Sequence, residues 1–145
     1  MLKQRLQRFC QGYVQCFKHY DIKTLQNYYQ IPCTLSMPDN LILVSSEKIF
    51  EQEFLQIYTQ LKDAGTTDFS FSDISYTQVN ESLTLLGGKW RFFNSEQEIF
   101  AEFFACYHLF QEENKIIIVN VMSHEVDHSV TFTEKLVSIV ASEQE

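Results

Sequence analysis

The chain has 145 residues, 45% hydrophobic and 21% charged, which are typical values for one globular domain with a substantial core. Its net charge is −8, with only 11 Lys and Arg residues. This argues against nucleic-acid or anionic-membrane binding, because both need clustered basic residues. There is no apolar run of signal-peptide or membrane-span length, and no CxxC spacing among Cys10, Cys16, Cys33 and Cys106. We therefore expect a cytoplasmic protein with free thiols.

The N-terminal third of the chain is predicted to be mainly helical. Apolar residues recur every three or four positions across residues 2–20, which indicates an amphipathic helix. Asp21 is a suitable N-cap for a second, short helix over residues 22–29. Pro32 is expected to stop that helix, because the residue before a proline is pushed out of the helical region.

Two short strands and a third helix follow. The strands are predicted over residues 31–37 and 41–44, separated by the turn signature Pro38-Asp39-Asn40. Ser45 or Ser46 then caps the third helix. The apolar stripe of that helix consists of Phe50, Phe54, Ile57, Tyr58 and Leu61.

From Thr67 the apolar period changes to two, which predicts four long antiparallel strands joined by tight turns. A parity slip at Ser72-Asp73 predicts a bulge, and Gly87-Gly88 predicts a bend or a second bulge. Residues 131–134 fit a capping box before a short C-terminal helix. The expected fold class is α+β, with three helices on a curved antiparallel sheet that encloses a cone-shaped cavity. Residues 1–130 would form this domain, and residues 131–145 a short helix and tail.

The strand over residues 98–111 is apolar on both faces, so both faces need a cover. We expect the face of Tyr107 to line the cavity, together with Ile99, Ala101, Phe103, Ala105 and Leu109. The opposite face has no predicted helix to cover it except the short C-terminal one. An exposed apolar face of this kind indicates a homodimer interface. Its predicted members are Phe100, Phe104, Cys106 and Phe110.

Residues 124–128 read His-Glu-Val-Asp-His and fit the zinc-protease pattern H-E-x-x-H. That chemistry needs a helix, in which the two histidines share one face. A strand would separate them by about 13 Å, and the preceding β-branched residues 116–119 indicate a strand. We therefore predict no metal and no cofactor. The segment is interpreted as polar residues at the cavity rim or dimer edge, with His124 as an alternative acid or base at the pocket mouth.

This order of elements resembles the nuclear transport factor 2-like superfamily, which includes ketosteroid isomerase, scytalone dehydratase and the SnoaL-like polyketide cyclases. The resemblance covers residues 2–127. It is carried by Tyr13 and Asp21 eight residues apart, Leu25, Tyr29, Pro32, Trp90-Arg91-Phe92, and Phe103, Tyr107 and Leu109 at their mutual spacing. It implies a cone-shaped α+β roll, but the activity depends on the pocket.

The ketosteroid isomerase branch implies roles for particular residues. Tyr13 matches the pocket tyrosine on its first helix, and Tyr107 falls where its second oxyanion donor stands. Met37 occupies the position of its catalytic base, so that chemistry is not expected. Asp39 and His124 remain as candidate bases. The alternatives are that both tyrosines are core residues with satisfied hydroxyls, and that Asp39 caps its own turn.

The sequence thus predicts a protein that binds a small hydrophobic molecule in an apolar pocket. The expected ligand-binding residues are Tyr13, Tyr28, Tyr58, Trp90, Phe103 and Tyr107. A non-catalytic interaction or dimerisation module is the alternative. A metal-free isomerase, cyclase or dehydratase is a third interpretation, and an H-E-x-x-H zinc hydrolase is a fourth.

Overall fold

Three helices precede the long strands, as the apolar periodicity predicts. A computed structural model describes residues 1–143, with α1 at Leu2–Lys18, α2 at Ile22–Gln26 and α3 at Glu47–Asp63. The Asp21 side chain caps α2, and Ser46 caps α3 by accepting a hydrogen bond from the Ile49 amide. The second helix ends earlier than predicted, because the chain enters its first strand at Tyr29.

Six long or medium strands form the body of one sheet. They are β1 Tyr29–Met37, β2 Asn40–Val44, β3 Asp68–Gln78, β4 Leu83–Phe93, β5 Ile99–Glu112 and β6 Lys115–His124. Their spatial order is β2-β1-β6-β5-β4-β3. The β1–β6 pair is parallel, so the sheet is mixed rather than purely antiparallel as predicted. Most of the domain lies between these two strands in sequence, which supplies the long connection that a parallel pair needs.

The predicted bulge near Ser72-Asp73 is present. The register between β3 and β4 shifts between Ser72 and Ser75, and Asp73 has a positive φ of 51°. The prediction at Gly87-Gly88 was a bend or a second bulge. The β3–β4 shift lies opposite Gly88, while β4 and β5 pair without a shift through both glycines. A Cβ on Gly87 would lie 2.5 Å from the Phe104 ring, and one on Gly88 would lie 2.6 Å from the Phe71 ring. These glycines therefore make room for aromatic rings on both faces of the sheet.

The two faces of β5 differ, but only two of the six residues predicted to line the cavity do so, and Ile99 is 48% exposed. Tyr107 and Phe103 face the interior, between the sheet and the helices. On the opposite face Phe100 and Phe110 are exposed, but Phe104 is only 2% exposed. Its ring stacks with His124 and borders a smaller cavity under residues 126–138. The predicted exposed face is therefore wrong at Phe104, which the chain covers itself.

The predicted C-terminal helix is wrong. Residues 131–143 instead contain two short strands, β7 Glu134–Lys135 and β8 Ile139–Val140, and a 3₁₀ turn at Ala141–Glu143. Both strands pair with β3, which would otherwise end the sheet with free backbone groups. The Gln7 side chain of α1 also makes two 2.9 Å hydrogen bonds to the Val137 backbone. Gln144 and Glu145 lie outside the described residues, and the division at residue 130 stays a prediction.

None of the helices in residues 1–143 is long and apolar enough to span a membrane. The four cysteines are free, as expected, and three of them are buried. The cytoplasmic location stays a prediction.

Candidate functional site

A cavity of about 560 Å³ lies between the concave face of the sheet and the helices. Helix α1 supplies Tyr13 and Phe17, and α3 supplies one wall through its apolar stripe. Strands β4 and β5 supply the opposite wall. The remaining lining residues include Tyr29, Leu35, Trp90, Phe92, Phe103, Tyr107 and Val121. The lining is therefore mainly aromatic and aliphatic, which is typical of pockets for small organic molecules.

Four polar aromatic groups meet among the buried lining residues. The Trp90 indole Nε1 donates to the Tyr107 hydroxyl at 2.9 Å. The hydroxyls of Tyr13 and Tyr29 are 2.5 Å apart. The Tyr13 ring stands edge-on to Tyr107 with 5.6 Å between ring centroids. We call Tyr13, Tyr29, Trp90 and Tyr107 the tyrosine cluster.

The tyrosine cluster is uncharged at neutral pH. Burial raises the pKa of Tyr13 and Tyr29 well above the usual 10.0, because a phenolate would lose its hydration there. Burial also raises the pKa of Tyr107, although hydrogen bonds from Trp90 and Tyr13 oppose the rise. All three hydroxyls therefore keep their hydrogens and can act as donors.

The tyrosine cluster has more donor hydrogens than the hydrogen bonds within it use. One N–H and three O–H groups provide four hydrogens. The Trp90–Tyr107 and Tyr13–Tyr29 hydrogen bonds use two of them. Even a third bond, between the hydroxyls of Tyr13 and Tyr107, would leave one O–H hydrogen over, and the cluster lines the cavity.

Both the chain and its fold have recognisable relatives. A family model described as NTF2-like protein (DUF6841) matches residues 4–126. The chain belongs to this NTF2-like family. A comparison with curated proteins gave no match.

Solved structures share the NTF2-like fold at low sequence identity. An NTF-2 like protein of unknown function from Shewanella oneidensis superposes with a TM-score of 0.67 at 9% identity, over 85% of this chain and 98% of that one. Aln2 from a Streptomyces species gives 0.70 at 7% identity, over 87% and 91%. An NTF2-like protein of unknown function from Pseudomonas putida gives 0.69 at 8% identity, over 90% and 93%. At such identities the likeness shows the α+β roll and no activity.

Four of the six residues predicted to contact a ligand line the cavity of this NTF2-like fold, namely Tyr13, Trp90, Phe103 and Tyr107. Tyr58 is buried behind the wall and donates to the Cys16 carbonyl at 3.0 Å. Tyr28 packs against Phe9 and is not among the lining residues. Whether the four lining residues bind a ligand stays a prediction.

Sequence reasoning missed Tyr29 as a site residue. The predicted helix over residues 22–29 includes it, whereas it begins β1 and its hydroxyl meets Tyr13. Tyr29 already belonged to the spacing pattern that carries the resemblance, and that membership was the available signal.

The candidate bases lie away from the tyrosine cluster. Asp39 is exposed in the β1–β2 turn and is not among the lining residues. Met37 lines the cavity at the position where a carboxylate base is expected from the resemblance. His124 borders the mouth, but its ring stacks on Phe104 with 5.2 Å between centroids, on the opposite face of the sheet.

The H-E-x-x-H segment is not an α-helix. Strand β6 runs through His124, as predicted, and Val126–His128 forms a 3₁₀ turn. The Nδ1 atom of His128 lies 2.5 Å from the Glu125 carboxylate, and His124 Nδ1 lies 3.0 Å from the Glu125 carbonyl. Within residues 1–143, no group of three or more His, Cys, Asp or Glu side chains is arranged to hold a metal ion.

Proposed function

We propose that this NTF2-like chain binds a small, largely apolar molecule that carries one neutral hydrogen-bond acceptor, such as a ketone. The observation that carries this proposal is the surplus O–H hydrogen of the tyrosine cluster, beside an aromatic cavity. A buried donor without a partner costs free energy, so a ligand oxygen placed there gains affinity. The volume of about 560 Å³ is in the range that accepts a drug-sized molecule.

Binding has more support than catalysis. Apart from the tyrosines, the titratable residues among the described lining residues are His124 and Glu125, and both lie at the mouth. A general base must lie within hydrogen-bond reach of the proton that it removes. The tyrosine cluster therefore has donors to bind an oxygen, but no neighbouring base to move a proton.

A matched pair of probes tests the proposal. 2-Decalone and its parent hydrocarbon decalin have similar shapes, and only the ketone accepts a hydrogen bond. We expect the ketone to bind about tenfold more tightly, since one such bond contributes roughly 1 kcal/mol. Trp90 is the single tryptophan and lines the cavity, so quenching of its fluorescence would report occupancy.

Single Tyr→Phe variants then identify the donor. The ketone preference should be lost in at least one of Tyr13→Phe, Tyr29→Phe and Tyr107→Phe. Tyr58→Phe is the control, because its hydroxyl is buried but bonded outside the cavity. Equal binding of both probes to the wild type, or a preference retained in all three variants, would rule out the acceptor-binding role.

We also propose that two copies of the chain associate through the outer face of the sheet. The cross-strand row Leu43, Thr34, Asn120 and His108 carries no Asp, Glu, Lys or Arg side chain. Beside it, Leu41 is 69% exposed and Met122 is 44% exposed. Since each copy carries a net charge of −8, a face without charged side chains is the surface on which two copies meet with least repulsion.

A further inference from the structure

The lining of the cavity has charge at one end only. Glu125 lies at the mouth, and none of the described lining residues is Lys or Arg. The polar atoms of the buried interior belong to the neutral tyrosine cluster. The interior therefore offers hydrogen bonds but no positive charge.

Glu125 is an exposed carboxylate at the mouth of the cavity. It follows β6 directly, and Nδ1 of His128 donates to its carboxylate at 2.5 Å. Its own backbone N–H and the His128 ring lower the pKa of the carboxyl group. The side chain is exposed, so its effect on a ligand is screened by salt.

We propose that the cavity selects its ligand by charge, and that Glu125 is the specificity-determining residue at the mouth. The inference rests on the ligand-binding function proposed above and adds the class of ligand. Accepted molecules are neutral, or carry an amine that stays at the mouth near Glu125. Carboxylates and phosphate esters are rejected.

Two physical effects produce this selection. An anion entering the interior loses its hydration and meets no cation, and burial of an unpaired charge is costly. Neutral hydroxyls replace only part of the lost hydration. At the mouth, the Glu125 carboxylate repels an approaching anion and attracts a cation over about 8 Å at physiological ionic strength.

Three decalin derivatives of similar size test the selection on the whole chain. They are 2-decalone, decalin-2-carboxylate and decalin-2-amine, titrated at pH 7 against Trp90 fluorescence. We expect the carboxylate to bind at least tenfold more weakly than the ketone. The ratio of amine to carboxylate affinity should fall about threefold in Glu125→Gln at low salt, and less in 0.5 M NaCl.

Glu113→Gln is the matched control, because Glu113 is exposed in the β5–β6 turn and changes the net charge equally. The ratio of amine to carboxylate affinity of this variant should equal that of the wild type. Carboxylate binding as tight as ketone binding would overturn the charge selection and leave the proposed function standing. An unchanged ratio in Glu125→Gln, or an equal fall in Glu113→Gln, would overturn the role of Glu125. Failure of every probe to bind, the ketone included, would overturn the proposed function and this inference with it.

Discussion

At the scale of single residues, the proposed ligand binding depends on hydroxyls that are buried but not fully bonded. Tyr13, Tyr29 and Tyr107 are 4%, 7% and 5% exposed, yet they share one surplus hydrogen. A solid core would satisfy such groups internally. Because these hydroxyls border a cavity, the aromatic residues of the chain can provide the ligand-binding donor that we propose.

The buried acids predict how stability depends on pH. Burial raises the pKa of the Cys10 thiol from 9.0 to about 12, and raises the pKa of Tyr13 above 10.0. The unfolded chain therefore loses these protons at lower pH than the folded chain. The stabilisation of the folded chain by these protonated groups is complete below about pH 9. It is lost as the pH rises further.

We expect the free energy of unfolding to be nearly constant from pH 7 to 8.5 and to fall above pH 9. Each buried group contributes up to about 1.4 kcal/mol per pH unit. Urea denaturation at pH 7 to 11 measures this. Tyr13→Phe should reduce the slope above pH 10, and a stability that rises through this range would contradict the buried, protonated state.

At the scale of elements, the C-terminal segment forms short strands where its sequence pattern predicts a helix. Its capping-box pattern and apolar spacing are genuine local signals for a helix. The free edge of β3 provides backbone partners that an isolated helix lacks, and β7 and β8 pair with it. Short helices are marginal by themselves, so tertiary pairing decides the outcome.

Removing a buried side chain from this segment should destabilise the whole domain. Ile139 is 0% exposed and pairs with Phe71 of β3. Ile139→Ala should cost about 2–4 kcal/mol of unfolding free energy. Val137→Ala, at a position that is 72% exposed, is the control and should change stability little. Equal effects of the two substitutions in urea denaturation would mean that the segment is not part of the cooperative fold.

At the scale of the whole molecule, the sheet separates a cavity from an exposed apolar face. The alternation of β5 places Phe103 and Tyr107 on the cavity side. The other face is exposed at Leu41, Leu43 and Met122 in addition to Phe100 and Phe110. The uncharged part of this face is therefore centred further toward β1 and β2 than the sequence predicts.

A charge placed on this face should separate the proposed dimer. Met122→Glu introduces a carboxylate at the centre of the face, which would be buried against a second copy. We expect a dimer for the wild type and a monomer for this variant in sedimentation measurements at micromolar concentration. Val137→Glu adds the same charge elsewhere and should leave the dimer intact. A wild-type chain that is monomeric at this concentration would exclude the association.

The sequence by itself determined the three N-terminal helices, the long strands, the bulge in β3 and the cavity-facing side of β5 at Phe103 and Tyr107. These depend on local periodicity, caps and turn residues, which act over a few positions. It also pointed to Tyr13, Trp90 and Tyr107, through fixed spacing in a recognised order of elements.

Only the tertiary structure decided the rest. The parallel pairing of β1 with β6, the strands of the C-terminal segment and the burial of Phe104 depend on residues far apart in the chain. The hydrogen bond between the hydroxyls of Tyr29 and Tyr13 likewise joins two different elements, α1 and β1. Local patterns carry no information on such contacts, because they form when distant elements compete for the same backbone partners and the same apolar surface.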